Sequence, residues 1–136
     1  MTAITSRRLS ESTDSLLRFA MRADAVLTGL AGIAGIPVAG WLADTSGTTV
    51  AFEYGMAAFF IAYGVVVFGL AALSSVKRPG MVVVIANLLY TVAAIVFVLA
   101  GAFPLTTTGV VLALASGVYT AVFAELQYQG WRRIKA

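Results

Sequence analysis

Apolar residues gather into four long runs, and polar residues gather between them. The first run spans residues 25–43, with Thr28 its one strongly polar side chain; the second spans 54–73. The third covers 81–103, interrupted by Asn87 and Thr91. The fourth covers 104–124 and carries no charge, though it holds Thr106, Thr107, Thr108, Ser116 and Thr120. A helix needs about 20 apolar residues to cross a bilayer. Each run is long enough, so the pattern predicts an all-α polytopic membrane protein with four transmembrane helices at approximately 23–43, 51–74, 81–103 and 106–126. Any one run read alone would also fit the buried helix of a soluble core. Four in 136 residues leave no polar faces to meet water.

The linkers are short: residues 44–49, 74–80 and 103–108. Linkers of that length make neighbouring helices antiparallel. They leave no room for a second domain, so residues 1–136 are expected to form a single four-helix transmembrane domain.

Charge orients this bundle. All nine Lys and Arg fall in three places: Arg7, Arg8, Arg18 and Arg22 before the first span, Lys77 and Arg78 in the middle linker, and Arg132, Arg133 and Lys135 at the tail. The other two linkers have none. Positively charged segments stay on the cytoplasmic side during insertion. The expected topology therefore places both termini in the cytoplasm, in the plasma (inner) membrane. Trp41 at one boundary and Tyr128 and Trp131 at the other suit the headgroup layers. The first run exceeds the 7–15-residue core typical of a signal peptide, and it is read as an uncleaved span.

Composition adds exclusions. Hydrophobic residues make up 60% of the chain and charged residues 11%, against roughly 25% charged in soluble domains. With no Cys and no His, the usual ligands of transition metals and haem are missing. No cofactor and no metal are expected. The net charge of +3 follows from membrane orientation and calls for no nucleic-acid partner. No phosphate loop, nucleophile elbow or zinc helix occurs, so no catalytic residue is assigned and an enzyme is not expected.

Two patterns mark candidate sites. At an offset of about 63, Ala23-Asp24 and Thr28 align with Ala86-Asn87 and Thr91. As a repeat, this predicts a parallel 2+2 arrangement with its axis along the membrane normal. Asp24 and Glu125 are the acidic residues placed within or near the hydrocarbon. A carboxylate there is costly and marks a functional hypothesis, with an interfacial ion pair to Arg22, Lys77, Arg78 or Arg132 as the plainer account. The candidate polar cluster is Asp24, Thr28, Asn87, Thr91 and Glu125, a proton or cation site at the inner mouth. Small residues mark helix packing: Ala31, Gly35 and Ala39 follow Asp24 and Thr28 on one face, and Gly109, Ala113, Gly117 and Ala121 recur every four residues. Pro37 predicts a kink in the first span. Phe59, Phe60, Tyr63 and Phe68 predict a second helix that faces lipid or is filled with aromatics.

The stretch from Leu17 to Gly29, LRFAMRADAVLTG, resembles the opening of small four-span integral membrane proteins of actinobacteria. The resemblance implies a fold and a membrane, with no particular activity. Small four-helix exporters carry a glutamate in the middle of the first span, where this chain has Thr28, Gly32 and Gly35. Three roles stay open. One is an accessory or scaffold subunit packing against other membrane proteins or against itself. Another is a small oligomeric transporter or channel with a carboxylate site on the cytoplasmic side. The third is an enzyme acting on lipids.

Overall fold

The computed structural model describes the backbone of residues 2–134 and the side chains of residues 13–134. The side chains of Arg7, Arg8 and Glu11, and Lys135 altogether, lie outside the described residues. The chain is 84% helical, and no strand occurs among the described residues. Five helices follow in order: α1 Thr2–Gly35, α2 Ala39–Ser46, α3 Val50–Ala71, α4 Lys77–Ala100 and α5 Thr107–Arg132. α3, α4 and α5 are each long and apolar enough to cross a membrane. α1 with α2 makes a fourth crossing only if the pair counts as one broken span. The chain is a helical membrane protein with three such helices, or four on that count.

The first span departs most from expectation. α1 stops at Gly35, and α2 leaves at 90° to it. Pro37 is the cause. Its ring nitrogen cannot donate, and its ring clashes with the carbonyl four residues back. Short-range bonds replace the helical ladder at the corner, Ile36 N to Ile33 O at 3.3 Å and Ala39 N to Ile36 O at 3.4 Å. The expected kink is a full break. Ala39 therefore does not continue the face of Asp24, Thr28, Ala31 and Gly35. It is buried in α2 instead, with Ala43 and Ser46, while Trp41 on the opposite side is 63% exposed.

Side chains and glycines end the helices. Thr49 and Thr106 cap α3 and α5, accepting from Phe52 N and Gly109 N, each at 3.1 Å. Gly47 closes α2 at φ 81°, a backbone that L side chains rarely adopt, and packs against the Pro104 carbonyl. Arg18 is held at the end of a neighbouring helix. It donates to three carbonyls at the C-terminus of α3, Ala71 at 2.9 Å, Leu73 at 2.6 Å and Ser74 at 2.9 Å, and pairs with Asp14 at 2.9 Å. A guanidinium there satisfies carbonyls left open at a helix end and complements the negative end of the dipole.

α1 packs closely on α3, and α4 closely on α5. The two hairpins join chiefly along α1 and α5, whereas α3 and α4 touch sparsely. The arrangement is thus lopsided about any two-fold axis, and α2 has no counterpart in the second half. The end that holds α2 and the α4–α5 loop is called here the α2 end, and the opposite one the terminal end. An apolar core fills the terminal end: Leu17, Met21, Ala25, Val67, Ala71, Val76 and Val83.

Candidate functional site

Halfway along the bundle the interior turns polar. Asp24 is fully buried, as is Gln127, and Asn87 is 2% exposed. A carboxylate at this depth costs several kcal/mol unless its oxygens are satisfied. Five side chains from all four long helices satisfy these. Thr28 Oγ1 and the Tyr119 hydroxyl each donate to Asp24 Oδ1 at 3.0 Å. The Tyr63 hydroxyl donates to Oδ2 at 2.7 Å, and Asn87 Nδ2 and Gln127 Nε2 each donate to it at 3.0 Å. Asn87 Nδ2 also donates to Gln127 Oε1 at 2.9 Å. All five partners are uncharged. Among the described residues no Lys or Arg pairs with Asp24; the recorded ion pair there is Arg18 with Asp14.

A second cluster adjoins the first. Thr91 Oγ1 shares a hydrogen bond with Thr120 Oγ1 at 2.7 Å and donates to the Gly117 carbonyl at 2.9 Å. Tyr90 donates to Ser116 Oγ at 3.0 Å. Of the sequence-derived cluster, Asp24, Thr28, Asn87 and Thr91 come together.

Glu125 does not join them. It is exposed and accepts from Gln129 at 2.7 Å, one turn along its own helix. The reason is rotational. A step of four residues turns 400°, so a row of fours drifts by 40° at each step. From Gly109 to Glu125 that drift reaches about 160°, the far side of the helix. Ala113 and Ala121 are accordingly only half-buried. The buried line runs Gly109, Gly117, Thr120, Ala124, Gln127, Gly130. Gln127 thus holds the position given in sequence to Glu125. The cluster sits well inside the bundle rather than at its terminal end. Asn87 lies ten residues beyond Lys77, roughly 15 Å along α4 at 1.5 Å per residue.

Tyr63, Tyr119 and Gln127 are the partners that sequence reasoning missed. The two tyrosines read as bulk within apolar spans. The available signal was that a phenol placed inside a bundle needs a hydrogen-bond partner. Gln127 fell in a polar tail read as interfacial, yet it continues the 3-4-3 spacing Gly117, Thr120, Ala124, Gln127.

Above the network lies a cavity of about 210 Å³. Thr28, Tyr63, Asn87 and Tyr119 form its floor, and it extends towards the α2 end past Ala31, Phe60, Tyr90 and Ser116. Below the network the terminal end is closed. Leu17, Met21 and Val83 are buried there, and a Cβ on Gly130 would lie 2.6 Å from the Leu17 backbone nitrogen.

The single hydroxyl hydrogen of Tyr63 has two acceptors within reach, Asp24 Oδ2 at 2.7 Å and Asn87 Oδ1 at 3.1 Å. No group of three or more acidic, His or Cys side chains suited to a metal occurs among the described residues. Comparison with known protein families, with curated proteins and with solved structures finds no match.

Proposed function

We propose that this chain is an accessory or scaffold subunit, a multi-pass protein of the plasma membrane that works through helix packing. One observation carries the reading. Its polar side chains turn inward and satisfy one another, while the long helices present apolar faces outward. Val65 and Val66 on α3, Leu89 and Leu99 on α4, and Val118 and Val122 on α5 are all more than half exposed. A face that lipid tails can wet is also one that another apolar helix can cover, since association in a bilayer rests on packing. The mid-bundle network then serves rigidity: one carboxylate gathers donors from every long helix and fixes their register.

Crosslinking in native membranes tests this. A photoreactive residue at Leu99, Val118 or Val65 is expected to capture another membrane protein, or a second copy, from one face in preference to the others. Lipid adducts alone at all three positions would refute the scaffold role. The cavity favours a second reading, a small oligomeric transporter. That role would require the core around Leu17 and Met21 to open, because the carboxylate is sealed from the terminal end.

The orientation we propose puts the terminal end, with both chain termini, in the cytoplasm, following the distribution of Lys and Arg. Asp44→Cys and Ser75→Cys report on it, since both native side chains are exposed at opposite ends of the bundle, Asp44 on α2 and Ser75 in the α3–α4 linker. A membrane-impermeant maleimide applied to intact cells is expected to label position 44 and spare position 75. The reverse pattern would invert the topology.

A further inference from the structure

We propose that the mid-bundle cavity is a binding site for a small organic ammonium ion carrying an aryl or alkyl group. Three features point there together. The first is an electrostatic imbalance. Asp24 is fully buried, and no cationic side chain among the described residues balances it. Its five hydrogen bonds spread the charge without neutralising it. A monovalent cation in the adjoining space would complete the pair in a medium where Coulomb attraction is weakly screened.

The second feature is the wall. Phe59, Phe60, Tyr63, Tyr90 and Tyr119 all line the cavity, and the Phe60 and Tyr90 rings lie 6.2 Å apart across the sparse α3–α4 seam. Aromatic faces attract ammonium groups through the ring quadrupole, most strongly where water is excluded. Tyr63 and Tyr119 have a double part. Each donates its hydroxyl hydrogen to Asp24, so the phenolic oxygen keeps lone pairs free to accept from an N–H on the cavity side. The charge of Asp24 thereby reaches the cavity surface although the carboxylate itself does not line it.

Size is the third feature. An apolar cavity of ~150 Å³ accepts benzene. At about 210 Å³, this one has room for a ring with a few further atoms. An inorganic cation would leave the apolar wall unused, and a hydrocarbon would leave the charge unbalanced. An aryl- or alkylammonium uses both. The cavity extends towards the α2 end and meets the packed core on the terminal side, so the ligand arrives from the α2 end or laterally from the bilayer.

The test uses the full chain in lipid nanodiscs, with benzylammonium as the probe and benzyl alcohol as its neutral counterpart of similar shape. Binding is read by saturable chemical-shift changes and by the shift in unfolding midpoint. Benzylammonium is expected to bind at least ~10-fold tighter than the alcohol, the discrimination a desolvated cation–π and carboxylate site supplies. Ala86→Phe should abolish saturable binding. Ala86 lines the cavity, stays outside the hydrogen-bonded network and is exposed, so a ring there fills the space. Equal binding of amine and alcohol would show that charge is not read and would overturn the proposal. So would undiminished binding in a folded Ala86→Phe protein, which would place the probe elsewhere, and so would the absence of saturable binding at millimolar benzylammonium. Tyr90→Phe keeps the ring and loses the hydroxyl that bonds Ser116. It should bind within a factor of about three of the unsubstituted protein, because the cation is held by the ring face.

Discussion

Asp24→Asn is expected to destabilise the bundle more than any other isosteric polar substitution in the chain. Five donors converge on the two carboxylate oxygens. An amide keeps one of those oxygens and replaces the other with a group that brings two hydrogens of its own. At least two donors then face a donor. Interhelical hydrogen bonds in membrane proteins average only ~0.6 kcal/mol, so the simple loss of the four that reach Asp24 from other helices would cost about 2.4 kcal/mol. Leaving buried donors unpaired adds ~1–3 kcal/mol for each group. These terms are not additive, and a net loss of about 3–5 kcal/mol is expected. Unfolding in mixed micelles followed by circular dichroism measures it. Glu125→Gln is the control: it makes the same chemical change at an exposed carboxylate whose recorded bond is to Gln129 and should stay within ~0.5 kcal/mol of the native protein. An Asp24→Asn protein as stable as the Glu125→Gln protein would show that the carboxylate does not organise the interior.

The contrast between those two acids also shows what the sequence could and could not reveal. Helical rotation puts Asp24 and Thr28 on one face of α1, and the offset of 63 puts Asn87 and Thr91 on the matching face of α4. Both inferences need only local geometry. Glu125 was grouped with Asp24 because both acids fall within or near the hydrocarbon, and depth along a helix does not say which face a side chain takes. Choosing Gln127 required knowing which face of α5 meets α1, and that is a tertiary fact. The break between α1 and α2 escaped for another reason. Hydropathy continues unbroken through residues 25–43, so nothing in composition distinguishes a bent span from a straight one with a proline kink. Arg18 was ambiguous in the same way, because a long basic side chain near a membrane boundary can reach headgroups or a neighbouring helix end equally well. The α3 terminus lies within its reach, and no side chain of α3 caps it there.

The network and the α1–α3 seam depend on each other. Tyr63 reaches Asp24 from α3 only because the two helices lie very close, and two glycines set that distance. A Cβ on Gly32 would lie 2.6 Å from the Ala57 carbonyl oxygen, and one on Gly64 would lie 2.7 Å from the Ala25 carbonyl oxygen and 3.0 Å from Gly29 Cα. These neighbours are backbone, so no side chain can swing aside to make room.

Gly64→Ala is therefore expected to cost ~1–3 kcal/mol as overpacking, and Gly64→Leu to prevent the close-packed bundle from forming. The sign is informative, because helix propensity alone favours alanine over glycine by ~1 kcal/mol. Gly55→Ala isolates that term. Gly55 lies in the same helix with nothing within 4 Å of its Cβ position, so its substitution should be neutral or slightly stabilising. Gly117→Ala should fall between the two. Its Cβ would meet the Ala94 methyl at 3.2 Å, a contact that α4 and α5 can relieve by a few tenths of an ångström. The expected order of stability, Gly55→Ala above Gly117→Ala above Gly64→Ala, can be measured by detergent unfolding of the three proteins side by side. A Gly64→Ala protein as stable as Gly55→Ala would mean that α1 and α3 are not held at the distance that lets Tyr63 bond Asp24. The Asp24→Asn loss would then shrink with it, since one of its five donors would no longer reach.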